Sequence, residues 1–104
     1  MVDFAVVAQW REQHAAERDR LIQGYLARHR AGPLLRGLSR AADRLLQEVW
    51  QAHDLPADTA LVAVGGYGRD ELYPHSDVDL LILLGDDLPA AEEARFEPLI
   101  GLLW

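Results

Sequence analysis

The chain has 104 residues, half of them hydrophobic, with ten arginines, no lysine, no cysteine and a formal net charge of −7. That composition excludes a disulfide framework, a thiolate metal site and a Gly-Lys-Ser/Thr phosphate loop. Residues 1 to 59 carry eight arginines against eight acids, whereas residues 60 to 104 carry only Arg69 and Arg95 against nine acids. The whole net charge therefore sits in the second half, which makes a poor duplex-binding surface and suits a segment that recruits cations.

Phe4 to about His29 is polar with scattered apolar positions and predicts one or two helices. Ala31-Gly32-Pro33 predicts a break. Leu34, Leu35, Leu38, Ala41, Ala42, Leu45, Leu46, Val49 and Trp50 then recur at spacings of three and four, which predicts an amphipathic helix ending near His53-Asp54-Leu55-Pro56. Residues 1–56 thus form an N-terminal helical segment, and 57–104 a second segment of different character. Ala60 to Val64 and Leu80 to Leu84 predict two strands. Because Leu80 to Leu84 is apolar at both parities, that strand is expected to be covered on both faces. A last helix runs through Pro89, Glu92, Phe96, Leu99, Ile100 and Leu103, with Asp86 or Asp87 as its cap and Glu92, Glu93 and Glu97 on its solvated face. It shows no stop signal, so the segment is expected to be truncated and to expose Phe96, Leu99, Ile100, Leu103 or Trp104. No apolar run approaches the ~20 residues needed to span a bilayer, and Met1 to Trp10 lacks the basic region of a signal peptide. The expected location is the cytoplasm.

Between the two strands lies the chemistry. Gly65-Gly66-Tyr67-Gly68-Arg69 follows the first strand, and Ser76-Asp77-Val78-Asp79 opens the second. Alternation along an extended segment sends Asp77 and Asp79 to one face, where two like charges need a cation to offset them. Mg²⁺ fits, since it is typically held by one or two carboxylates together with substrate phosphates. Gly65 and Gly66, without side chains, let backbone N–H groups approach an anion, and a short helix starting near Tyr67 would add a favourable dipole. Arg69 has two partners in prospect: a triphosphate, or Glu71 or Asp70. Ser76 either donates to a phosphate or caps the turn into the strand. Tyr67 and Tyr73 are expected to pack rather than stack on a base, and the three tryptophans to fill the core. His14, His29, His53 and His75 have no mutual metal spacing and read as surface or helix-end residues.

The Gly-Gly pair, the ten-residue interval from Tyr67 to Ser76 and the following Asp-x-Asp resemble the signature of the polymerase-β-type nucleotidyltransferase superfamily. The longer string from Ala63 to Arg69, with Glu71-Leu72, Pro74 and Ser76 to Leu83, resembles the narrower family of uridylyltransferases that modify the PII nitrogen-signalling protein. The resemblance covers roughly the last 45 residues. It implies an α+β fold: N-terminal helices followed by the start of a nucleotidyltransferase core of strand, Gly-Gly turn, short helix, strand and helix. It further implies that Asp77 and Asp79 are the catalytic and metal-binding residues, and that Mg²⁺ is the cofactor. Gly65, Gly66, Arg69 and Ser76 would bind UTP, with UMP passing to a PII tyrosine and pyrophosphate leaving. Neither nucleic acid nor membrane is an implied partner. Members of the family carry a third carboxylate on a later strand, a phosphohydrolase domain that removes UMP and glutamine-sensing domains, none of which falls within these residues. Activity of the 104 residues alone is therefore not expected. Adenylyl transfer to another acceptor, or nucleotide binding without catalysis, are the alternatives, because nothing in the sequence reads uracil against adenine.

Overall fold

A computed structural model describes residues 3–103. The first helix, α1, runs unbroken over Phe4–Arg28; Asp3 caps it by accepting from the Ala5 N–H at 3.2 Å, and His29 ends it in a left-handed conformation. The break thus falls at His29 and Arg30, two residues before the glycine–proline pair. Ala31-Gly32-Pro33 instead forms the first turn of α2, Ala31–Gln51. Pro33 is tolerated there because first-turn N–H groups have no partner inside a helix.

Strand β1, Thr59–Ala63, pairs antiparallel with β2, Leu80–Leu84, in the register Leu61 opposite Ile82 and Ala63 opposite Leu80. A one-turn helix, α3 (Gly65–Gly68), follows β1. After β2 come α4 (Ala90–Glu93), a tight turn over Ala94–Phe96, and α5 (Glu97–Leu103). This is the α+β order of helices, strand, glycine turn, strand and helix. Pro89 precedes α4 with no side-chain cap, so neither Asp86 nor Asp87 plays that role. Proline's fixed φ already starts the helix.

An isolated two-stranded sheet is marginal in water, and here two apolar clusters hold it. In one, Leu34, Leu38, Ala42 and Leu46 of α2 meet Tyr67 and Leu72, with Leu61 and Leu80 packed against them. In the other, Trp10 of α1, Val49 of α2, Phe96 and Leu99 come together, with Ile82, Leu88, Trp50 and Leu102 at the margin. Phe96 and Leu99 are therefore core residues, whereas Ile100 and Leu103 are exposed; Trp104 lies outside the described residues.

The expectation that β2 is covered on both faces fails. Leu81 is 47% and Leu83 51% exposed, and their register partners are Val62 and Ala60. Paired residues share a face, so one side of the sheet packs on the helices while the other stands open among the described residues. Among those residues no helix is long and apolar enough to cross a membrane.

Candidate active site

The β1–β2 pairing reaches one residue beyond the strands: the Val64 N–H donates to the Asp79 carbonyl at 3.0 Å. That bond holds the start of the glycine turn against the residue that precedes β2. Gly65 adopts φ +62, and a methyl group there would lie 2.8 Å from Asp79 Oδ2. The left-handed backbone demands glycine here, and a side chain would in addition push the exposed Asp79 carboxylate aside. At Gly66 the same methyl would meet the Glu71 carbonyl oxygen at 3.4 Å, an ordinary contact.

Local hydrogen bonds close the turn. The Gly68 N–H donates to the Val64 carbonyl at 3.0 Å, and the Gly66 carbonyl accepts from the N–H groups of Arg69 at 3.1 Å and Glu71 at 2.9 Å. Gly68 is required as well, because its Cβ would approach the Ala63 carbonyl oxygen of β1 to 2.8 Å. The helix here is a single turn starting at Gly65 rather than near Tyr67. With four residues it aligns too few peptide dipoles to matter. What the turn itself can offer an anion is therefore glycine backbone rather than a helix dipole.

Asp77 and Asp79, both exposed, line one cavity of about 600 Å³ with Leu61, Leu80 and Ile82 of the sheet and Ile100 and Leu103 of α5. The site thus combines two carboxylates, an adjacent glycine turn and an apolar wall. Among the described residues no group of three or more His, Cys, Asp or Glu side chains converges on a metal position. Two carboxylates beside an anion-accessible turn nevertheless match how Mg²⁺ is held, with substrate phosphates completing its oxygen shell.

The remaining sequence candidates sort as follows. Arg69 pairs with Glu71, Nε to Oε2 at 3.4 Å, and its Nη2 would lie 3.9 Å from a methyl group at Gly66. Its guanidinium thus hangs beside the turn on a solvated ion pair of little strength. Ser76 closes a local turn: its Oγ accepts from the Tyr73 N–H at 3.1 Å, and its own N–H donates to the Tyr73 carbonyl at 3.0 Å. Tyr73 is 58% exposed, while Tyr67 is buried. His29 and His53 sit at helix ends and His75 is exposed, but His14 is partly buried on α1, with Nδ1 enclosed and without a hydrogen-bond partner among the described residues. Burial, helped by the Arg18 charge, holds the His14 pKa below its ordinary value.

Sequence reading passed over Asp43. It lies on α2, 24 residues before Tyr67, and its Oδ1 accepts a hydrogen bond from the Tyr67 hydroxyl. Burial first, then that bond, then the charges of Asp43 and Asp70 raise the Tyr67 pKa far above the usual phenol value. That setting favours the neutral phenol, which donates its hydroxyl proton to Asp43. No sequence signal marked Asp43, since an acid among the arginines of a helix resembles any solvated residue.

The model of the nucleotidyltransferase domain family matches residues 42–101, a span that opens inside α2 and includes Asp43, the glycine turn and both acids. Three curated relatives bear the name bifunctional uridylyltransferase/uridylyl-removing enzyme. The one from Cupriavidus pinatubonensis is 43% identical over 98% of this chain and 12% of its own length. That of Cupriavidus metallidurans is 47% identical over 90% of this chain and 11% of its own. For Chromobacterium violaceum the figures are 43%, 96% and 12%. The chain therefore spans about a tenth of the length of these relatives, and the identity extends through the helical first half. No solved structure gives a significant match.

Proposed function

The chain belongs to the nucleotidyltransferase domain family, and on that premise we propose that it contributes the Mg²⁺- and UTP-binding part of an enzyme that transfers UMP to a tyrosine of the PII protein. The observation that carries this reading is the seating of the Asp79 carboxylate over Gly65, with Asp77 in the same cavity. That proximity of a carboxylate to the glycine turn supports reading them as the two halves of a metal–triphosphate site. The uridylyl specificity is suggested by what the relatives are named, while the PII acceptor and a cytoplasmic setting are what the resemblance of the Ala63 to Leu83 string implies.

In this mechanism Asp77 and Asp79 would hold Mg²⁺, which when bound would supply charge neutralisation for the leaving pyrophosphate. The glycine turn contributes backbone donors to the phosphates at Gly65 and Gly66. Arg69, tethered to Glu71 beside Gly66, adds positive charge over the same oxygens. Ser76 fixes the loop that delivers Asp77. Leu61, Ile82, Ile100 and Leu103 form an apolar wall on one side of the cavity.

The decisive test is Asp79→Asn in the full-length protein, assayed for transfer from labelled UTP to PII. The amide keeps the size and removes the charge, so transfer should fall by at least about 100-fold, the scale of a lost electrostatic stabiliser. The melting temperature should hold steady, since the residue is exposed. Near-normal turnover would overturn the assignment, and preferential labelling from ATP would replace uridylyl by adenylyl transfer.

A further inference from the structure

Tyr67 interrupts the glycine turn with a large side chain, and metal and phosphate binding give it no task. The residue is 5% exposed and packs in the α2 cluster with Ala42, Leu46 and Leu72. Its hydroxyl crosses to Asp43 Oδ1 on the same helix. The bonds from Gly68 to Val64 and from Arg69 and Glu71 to Gly66 fix the shape of the turn. None of them fixes where that shape stands relative to α2. The Tyr67 side chain does so twice, by its ring in the core and by its hydroxyl on a carboxylate. A hydrogen bond to a charged acceptor is both stronger and more directional than a neutral one.

Gly65 and Gly66 immediately precede Tyr67, so a shift of the phenol in its socket moves both peptide groups. Gly65 also lies against Asp79, and the same shift disturbs the carboxylate. We infer that Tyr67 and Asp43 are a positioning pair, whose hydrogen bond pins the glycine turn to α2 and sets the Gly65 and Gly66 backbone for the phosphates of a nucleotide. The inference rests on the nucleotidyl-transfer reading above. A rival role exists close by, because Asp43 and Tyr67 also border a cavity of about 230 Å³ that Gln47, Trp50 and Gln51 help to line. Amides and an indole there could contact a base instead, and the two roles differ in which part of the nucleotide suffers.

Four variants of the full-length protein separate them. Tyr67→Phe keeps the ring in the core and deletes the donor; Asp43→Ala deletes the acceptor; Asp43→Asn retains an acceptor oxygen; the fourth combines Tyr67→Phe with Asp43→Ala. Binding is read by calorimetry with Mg·UTP and, separately, with inorganic tripolyphosphate in Mg²⁺, alongside the melting temperature. Both single deletions should weaken both probes by about tenfold, the size of one lost charge-assisted hydrogen bond. The double variant should be no weaker than either, and Asp43→Asn should recover most of the loss. A lowered melting temperature with unchanged affinity makes the pair merely structural and overturns the inference. Loss of UTP affinity with tripolyphosphate binding intact overturns it in favour of the base. If the unmodified protein binds neither probe, the nucleotidyl-transfer reading falls and this inference with it, a result distinct from unaltered affinity in the variants.

Discussion

At Gly65 and Gly66 two adjacent glycines that look alike in sequence do different work. A side chain at Gly65 meets both a left-handed backbone and the Asp79 carboxylate, while Gly66 has ordinary room. Gly65→Ala should therefore cost about 1–2 kcal/mol of stability and displace Asp79, weakening Mg²⁺ and UTP together. Gly66→Val should leave the fold nearly intact and weaken UTP more than Mg²⁺, because the branched side chain stands over the backbone a phosphate would approach. Urea unfolding and calorimetry on each ligand check both statements, and equal losses of the two ligands in Gly66→Val would point to unfolding. The cluster of Gly65, Gly66, Asp77 and Asp79 was legible because glycine pairs and alternating acids stand out against apolar flanks. Asp43 and Gly68 were not, because their constraints come from a helix 24 residues away and from the carbonyl of the strand before the turn.

The leucines of strand β2 and helix α5 look alike in sequence and are buried to very different degrees. Leu99 of α5 is 1% exposed, so Leu99→Ala should cost about 2–5 kcal/mol through lost contacts and a residual cavity. Leu83→Ala, on the open side of the sheet at 51% exposure, should cost less than about 1 kcal/mol. Chemical denaturation of the two variants tests the contrast, and similar losses would show that the open face is covered. The α2 helix was readable because its three-and-four spacing directly records the face it buries: Leu34, Leu38, Ala42 and Leu46 are all core. For β2, five consecutive apolar residues carry no period, and hydrophobicity alone does not say whether a second layer is present. The break before α2 was misplaced because Gly32 and Pro33 look like punctuation, although proline suits a first helical turn.

Across the whole molecule, acidity and burial combine into a predictable response to pH. His14 has a folded-state pKa below its ordinary value of 6.5, so below that value the unfolded chain takes up the proton more readily than the folded one. Stability from this residue is fully present above about pH 6.5 and is lost as pH falls through the lowered folded pKa. Replacing His14 with Gln should flatten the urea midpoint between pH 7.5 and 5.5, and an unchanged slope would remove His14 as its source. Helix α2 supplies Leu34, Leu38, Ala42 and Leu46 to one apolar cluster and Val49 to the other, while the opening residue of α1, Phe4, is 92% exposed. The consequence is a gradient of solvent access to the backbone in time. Amide protons in the middle of α2, around Leu38 and Ala42, should exchange with deuterium only when the cluster they form with Tyr67 and Leu72 opens, so they should be among the slowest in the chain. Those in the first turns of α1 exchange through fraying that leaves the rest of the fold closed.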